Sequence, residues 1–175
     1  RLDKGEPKII YEDDALTVET IPLMHKIPTS GFLFREKSKP RRIDKTKLPQ
    51  GLLIKQIANL KKGDDVTDET GKIIYKNTDL TLPPRKSRSY AYCSDTAYQE
   101  FIVDQINEVD VLYHEATFTA DEESKAVETQ HSTAAQAALM ATKANVSKLL
   151  IGHFSARYKD LIPVLEEARK VFPAT

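Results

Sequence analysis

Three observations make this sequence one of the α/β class with some parallel strands. From residue 88 onward, short apolar runs alternate with longer amphipathic stretches, the pattern of β-α-β-α-β-α. The runs are too short for helices and are bounded by polar residues or glycine. Asp95, His114 and His153 each stand where a run ends, and open α/β sheets keep their sites beyond the carboxyl ends of strands.

The elements follow in order. Residues 16–24 and 30–35 read as two strands around "HKIPTSG", in which Pro28 and Gly31 supply the turn. Residues 36–86 break the pattern, being rich in Lys, Pro, Asp and Gly. Within them "GLLIKQIANLKKG" (51–63) predicts a small helix and "IIYKNTDL" (73–80) a short strand. So polar a stretch is expected to bury little core and reads as an inserted arm, not a second domain. Then come a strand in "RSYAYCSD" (88–95), a helix in "AYQEFIVDQIN" (97–107) and a strand in "DVLYHE" (110–115). A helix in "TAAQAALMATKAN" (133–145), a strand in "SKLLIGH" (147–153) and a helix in "LIPVLEEARKVF" (161–172) complete the series. Thr133 and Gln136 have capping-box spacing, and Asn145 is the expected C-cap. No internal repeat is visible.

The 175 residues, 40% hydrophobic and 30% charged, suit one globular domain or a large piece of one. No apolar run is long enough to span a bilayer, and no signal-peptide pattern opens the chain, which begins at Arg1. A single cysteine, Cys93, excludes an intramolecular disulfide and fits a reducing compartment, so a cytoplasmic location is expected. Net charge is zero, but between Arg35 and Lys62 ten lysines and arginines meet two acids, an excess of eight positive charges. A second basic cluster is Arg85, Lys86 and Arg88, and residues 100–128 are strongly acidic. This layout can gather a polyanion at one place, although a solvated charged loop explains the composition equally well.

All four histidines stand at element ends. His25, His114 and His153 close apolar runs, and His131 precedes a helix. A single histidine in such a place is usually a solvated or capped loop residue; four of four is harder to set aside. A carboxylate and several imidazoles at strand ends are the ingredients of a zinc or manganese site. A bridging carboxylate can hold two ions, and a further histidine can protonate a leaving oxygen. Spacing alone is a modest signal, since no compact HxH or CxxC pair occurs.

Four motifs say more. "YCSDT" (92–96), "YHEATF" (113–118), "HSTAAQA" (131–137) and "GHFSARY" (152–158), in that order, resemble the C-terminal half of the ribonuclease Z family. These are tRNA 3′-end processing endonucleases of the metallo-β-lactamase superfamily. "PLMHKIPTSGFLFRE" (22–36) is similar to the family segment that carries another metal-binding histidine, and residues 36–86 occupy the place of its flexible tRNA-binding arm.

The resemblance implies a metallo-β-lactamase fold, an αββα sandwich, of which this chain is an incomplete C-terminal half with an inserted basic arm. It implies cleavage of the 3′ trailer from precursor tRNA by two-metal-assisted phosphodiester hydrolysis, leaving a 3′-hydroxyl on the tRNA. Two zinc ions would serve a complete site, with manganese an alternative. His25 would bind one, His153 the other, and Asp95 would bridge them. His131 would be the general acid and Glu115 would orient it, while His114 supports the site. Ser155 and Arg157 would hold phosphates, and Lys39, Arg41, Arg42, Lys45 and Lys47 would contact the tRNA. An ion pair with the acidic loops is an equal reading of Arg157. A homodimer and no membrane association are also implied.

The chain departs from the family pattern in places. Ser94 stands where the family usually has glycine before the bridging aspartate, and "LPQG" (48–51) only loosely matches a Gly-Pro-rich arm tip. The HxHxDH pattern that supplies most family metal ligands does not occur in the sequence, and the chain stops at "VFPAT" where the family continues to a final strand. The expectation is therefore the C-terminal part of a longer enzyme, inactive by itself and holding metal weakly or not at all. Two alternatives carry different chemistry: a hydrolase of small phosphodiesters or sulfate esters on the same fold, and a non-enzymatic RNA-binding module. Net neutrality and the lack of a base-stacking aromatic motif count against the module.

Overall fold

The computed structural model describes residues 6–175 as two compact units, 6–36 with 88–175, and Lys37–Ser87. Along the chain lie β1 (Ile9–Glu12), β2 (Leu16–Leu23), β3 (Thr29–Glu36), β4 (Arg42–Ile43), α1 (Ile54–Lys62), β5 (Val66–Thr67), β6 (Ile73–Tyr75), α2 (Asn77–Leu80) and β7 (Thr81–Leu82). They are followed by β8 (Ser89–Cys93), β9 (Val111–Glu115), α3 (Glu123–Thr129), α4 (Ala134–Lys143), β10 (Leu149–Gly152) and α5 (Ile162–Val171). Among the described residues no helix is long and apolar enough to cross a membrane.

The first unit is built on a six-stranded sheet in the order β1-β2-β3-β8-β9-β10. β2 and β3 are antiparallel, from Leu16 opposite Glu36 to Leu23 opposite Thr29, and β3 pairs antiparallel with β8. β8, β9 and β10 then run parallel, so their carboxyl ends lie side by side. Period-two alternation sends Leu33, Ala91, Cys93, Leu112 and Leu149 into one core with Ala134, Ala138, Met140 and Ala141 of α4 and Val164 and Ala168 of α5. A run of alanines on α4 lets helix backbone approach the strands closely. The other face of the sheet carries the stacked pairs Phe34–Tyr90 and Tyr92–Tyr113, with ring centroids 5.9 and 4.8 Å apart.

The capping box is present at α4: Thr133 Oγ1 accepts from the Gln136 backbone N–H at 3.2 Å, and Gln136 Oε1 accepts from the Thr133 N–H at 3.0 Å. Ala144 is the C-cap, and Asn145 beyond it takes the left-handed conformation at φ 48°. The helix expected over 97–107 does not form. That stretch is a single 3-10 turn at Glu100–Ile102 followed by irregular turns. Ile102, Ile106 and Val109 are buried at helical spacing, which explains the expectation. The segment is held by bonds to distant residues: the Gln105 carbonyl accepts from Arg35 Nη2, and the Gln105 and Gln99 side-chain amides donate to the Thr20 and Pro22 carbonyls. The strand read over 73–80 is strand only through Tyr75, and then gives way to α2. The exposed β1, the polar α3 and the two-residue strands β4, β5 and β7 were not read from the sequence.

The second unit, Lys37–Ser87, has a small core of its own. Leu60, Val66 and Leu80 are buried, with Ile43, Leu48 and Leu52 packed on them. α1 ends at Gly63, whose φ of 109° a side chain would strain. Buried Asn77 closes the unit by donating from Nδ2 to the Leu60 and Asp64 carbonyls. Where the chain leaves and rejoins the first unit, Glu36 and Arg88 are tied together. The Glu36 N–H donates to the Arg88 carbonyl at 2.9 Å, and Glu36 accepts from the Arg88 N–H at 2.7 Å and from Nη2 at 2.6 Å.

Cys93 is fully buried, and desolvation of its thiolate pushes the thiol up to about 12. The expected result is that iodoacetamide leaves Cys93 unlabelled in the folded protein at neutral pH and labels it readily in urea. Equal labelling rates in the two states would show that the strand is not packed as described.

Candidate active site

The parallel run of β8, β9 and β10 brings three polar strand ends together, at Asp95, Glu115 to Thr117, and His153. Asp95 and His153 both have left-handed backbone, at φ 54° and φ 60°. Side chains of Asp and His tolerate this region better than most, and residues held there cluster at functional sites. Ser94 is not among the positive-φ residues, so glycine is not needed before Asp95. A Cβ at Gly152 would press on the outer ring atoms of Tyr113, so a larger residue before His153 would have to displace that side chain.

His25 reaches the same place from the turn between β2 and β3. The turn is fixed by Met24, whose N–H donates to Thr96 Oγ1 at 3.2 Å and whose carbonyl accepts from the Ala97 N–H at 2.8 Å. His131 arrives from the loop between α3 and α4. The ring centroids of His25 and His131 are 4.9 Å apart, and those of His131 and His153 are 5.3 Å apart.

Hydrogen bonding assigns the protons. His25 Nδ1 faces the Gln130 carbonyl at 3.0 Å, and an acceptor-only partner makes Nδ1 the donor. His131 Nδ1 faces the Glu115 carboxylate at 2.9 and 3.2 Å and is a donor for the same reason. In both rings Nε2 is left to act on the cleft. Glu115 is wholly buried, and its oxygens also accept from the Thr96 N–H, the Ser132 N–H at 3.1 Å and the Thr117 hydroxyl at 2.6 Å. Four donors converge on this one carboxylate and leave it no free oxygen for a ligand.

His153 Nε2 lies 3.1 Å from Asp95 Oδ1. Two ligands of one ion, with bonds of about 2.0–2.2 Å, stand about 3 Å apart, so this pair fits a shared metal. Donor atoms of His25, Asp95 and His131 lie within 4.8 Å of one another, as do those of Glu115, His131 and His153. The first group fits a metal; in the second, Glu115 is already committed to its donors. His131 is within reach of both clusters.

The remaining expected residues fall elsewhere. His114 is fully buried, burial lowers its proton affinity, and its Nδ1 donates to the Glu115 carbonyl at 2.8 Å. Arg157 is exposed, and no carboxylate among the described residues pairs with it. Ser155 is half-buried, with its N–H on the Thr117 carbonyl. In the second unit Arg41, Arg42 and Lys45 line a groove with Ile43, Leu48 and Ile57, while Lys39 donates to the Lys86 carbonyl and Lys47 pairs with Asp44. Arg41 Nε is bound to Thr81 Oγ1 and Arg42 Nε to the Pro83 carbonyl, so both brace that unit. Sequence reasoning gave no part to Thr96, Thr117, Gln130 and Ser132. Thr96, Thr117 and Ser132 sit inside the quoted motifs, which was the available signal.

No family model matches the chain. Ribonuclease Z of Phocaeicola vulgatus is 49% identical over 174 residues, which cover 99% of this chain and 56% of that protein. The chain belongs to the ribonuclease Z family. Ribonuclease Z of Cytophaga hutchinsonii is 47% identical over 166 residues, covering 95% of the chain and 53% of the relative. The chain thus spans a little over half the length of the ribonuclease Z proteins it matches. Among solved structures, the metallo-β-lactamase fold protein YhfI from Bacillus subtilis superposes on 99% of the chain and 49% of its own, with TM-score 0.58 at 15% identity. The short form of human tRNase Z gives TM-score 0.50 at 22% identity, over 85% of this chain and 39% of that one. The fold is the metallo-β-lactamase fold, of which the described residues hold one large sheet.

Proposed function

We propose that the protein containing this chain is an endoribonuclease that removes the 3′ trailer from precursor tRNA and leaves a 3′-hydroxyl on the tRNA. The observation that carries this reading is the His131–Glu115 pair set against Asp95 and His153, in a chain that matches ribonuclease Z along nearly its whole length. His25 would hold one divalent ion, His153 a second and Asp95 both; zinc or manganese bound there would neutralise phosphate charge and supply a water-derived nucleophile at neutral pH. His131 then gives a proton from Nε2 to the departing 3′ oxygen, while Glu115 accepts from Nδ1 and keeps the ring aimed. Arg157 and Ser155 hold phosphates beside the cut, Arg157 through a guanidinium suited to two oxygens at once. The basic insert grips the tRNA body through its backbone, reading shape before sequence.

The deciding experiment is cleavage of an end-labelled precursor tRNA by the full-length protein with zinc or manganese. One cut giving a 3′-hydroxyl tRNA and a 5′-phosphorylated trailer is expected. A 3′-phosphate product, or hydrolysis of small diesters without any cut in the RNA, would overturn the reading.

The insert has its own test. Replacing Lys39, Lys45 and Lys47 with alanine, and sparing the bracing Arg41 and Arg42, is expected to weaken precursor binding. The slope of log affinity against log salt should flatten by roughly two to three units. Hydrolysis of a small chromogenic diester should be nearly unchanged. A wild-type salt slope would make the basic run a solvated surface.

A further inference from the structure

We propose that Thr117 is a positioning residue that fixes which nitrogen of His153 faces the metal, and that it ties this choice to Glu115. The inference rests on the reading of His153 as a metal ligand. Thr117 is nearly buried, and its hydroxyl touches three groups: Glu115 Oε2 at 2.6 Å, the His153 carbonyl at 2.9 Å and His153 Nδ1 at 2.9 Å. A hydroxyl has one proton to give. Two of the three partners are oxygens that can only accept, and the shorter contact, to the carboxylate, is of the charge-assisted kind. Whichever oxygen takes the proton, Oγ1 turns a lone pair to His153.

Nδ1 of His153 must then carry hydrogen, which leaves the lone pair of Nε2 on the side of Asp95 Oδ1, 3.1 Å away. An imidazole that donates through one nitrogen while the other binds metal is the usual outer-shell arrangement, though the acceptor is more often a carboxylate or carbonyl. Here the hydroxyl stands between the ring and a carboxylate, and that carboxylate also receives the His131 N–H. The chain His153–Thr117–Glu115–His131 therefore joins the metal ligand to the proton donor through one buried anion. Distorting either ring is felt by the other.

The test uses the full-length protein, with zinc as the probe and no RNA. Thr117→Val keeps the shape and removes the hydroxyl; Thr117→Ser keeps the hydroxyl and loses a methyl. Zinc affinity, measured by competition with a chromogenic chelator, is expected to fall about 10–100-fold in Thr117→Val and to stay within a few-fold of wild type in Thr117→Ser. In wild-type protein with zinc bound and histidine labelled with 15N, His153 is expected to show a protected Nδ1–H with Nε2 on the metal. Equal loss of affinity in both variants would remove the hydroxyl from the account, as would a wild-type spectrum with Nε2–H and metal on Nδ1. The spectrum decides the matter even if Thr117→Val does not fold. A wild-type protein that binds zinc through Nε2 but cuts no tRNA would remove the ribonuclease reading and leave the role of Thr117 in place.

Discussion

Full-length protein carrying His131→Ala is expected to cut precursor tRNA roughly 10²–10⁴-fold more slowly, with its zinc content nearly unchanged. The range is the usual contribution of a positioned general acid or base. His131 is suited to that work because its Nδ1 is anchored on Glu115 at 2.9 Å while its side chain stays about 15% exposed at the cleft. The loss should be smaller for a substrate whose leaving group needs no proton, such as a nitrophenyl diester. The geometry also supplies the rival outcome. His131 lies within ligand distance of both clusters, so a variant that lost one metal equivalent would be a ligand mutant, and the proton would have to come from elsewhere. Metal content measured beside the rate separates the two.

Glu115→Ala should be the most destabilising single change at the site, costing about 3–5 kcal/mol in urea unfolding, the range for removing one partner of a buried charged network. The reason is the number of groups left unpaired. Thr96 and Ser132 would keep buried N–H groups with no acceptor, and the Thr117 hydroxyl and His131 Nδ1 would lose theirs. Because Thr96 also anchors Met24, the His25 turn would loosen as well. Glu115→Gln keeps the shape and accepts through one oxygen only, so it should fall between. A loss below about 1 kcal/mol for the alanine variant would mean that water replaces the carboxylate and the site is wetter than its burial indicates.

The parallel core of this protein was readable because its signals are local and redundant. β8, β9, β10 and α4 each combine an apolar run of the right length with a cap or a polar stop, and the Thr133–Gln136 box lies within four residues of sequence. The residues around 97–107 misled for an equally physical reason. Their buried isoleucines keep helical spacing, and Ile106 does donate to Ile102, but the Gln105 carbonyl is taken by Arg35 and the Glu108 N–H by Ala144, both distant in sequence. The small core of 37–87 could not be located from sequence because Leu60, Val66 and Leu80 are spread thinly among charges, and only folding shows that they meet. At the site, histidine and aspartate announce their chemistry by type. Thr117 and Thr96 do not, since a threonine is significant there only for what surrounds its hydroxyl.

The tie between Glu36 and Arg88 has a consequence for how such a chain can change over generations. β3 and β8 are adjacent strands, with Arg35 opposite Ser89, so the two ends that the insert joins are neighbours in the sheet. Trading the fifty-odd residues between those ends for a tight four-residue turn alters the closure entropy by only about 2 kcal/mol, since that term grows with the logarithm of length. The closure cost of the insert therefore changes only slowly with its length. Selection on the length and composition of the insert can act here at its own pace, while the residues around Asp95 and His153 stay bound to one another.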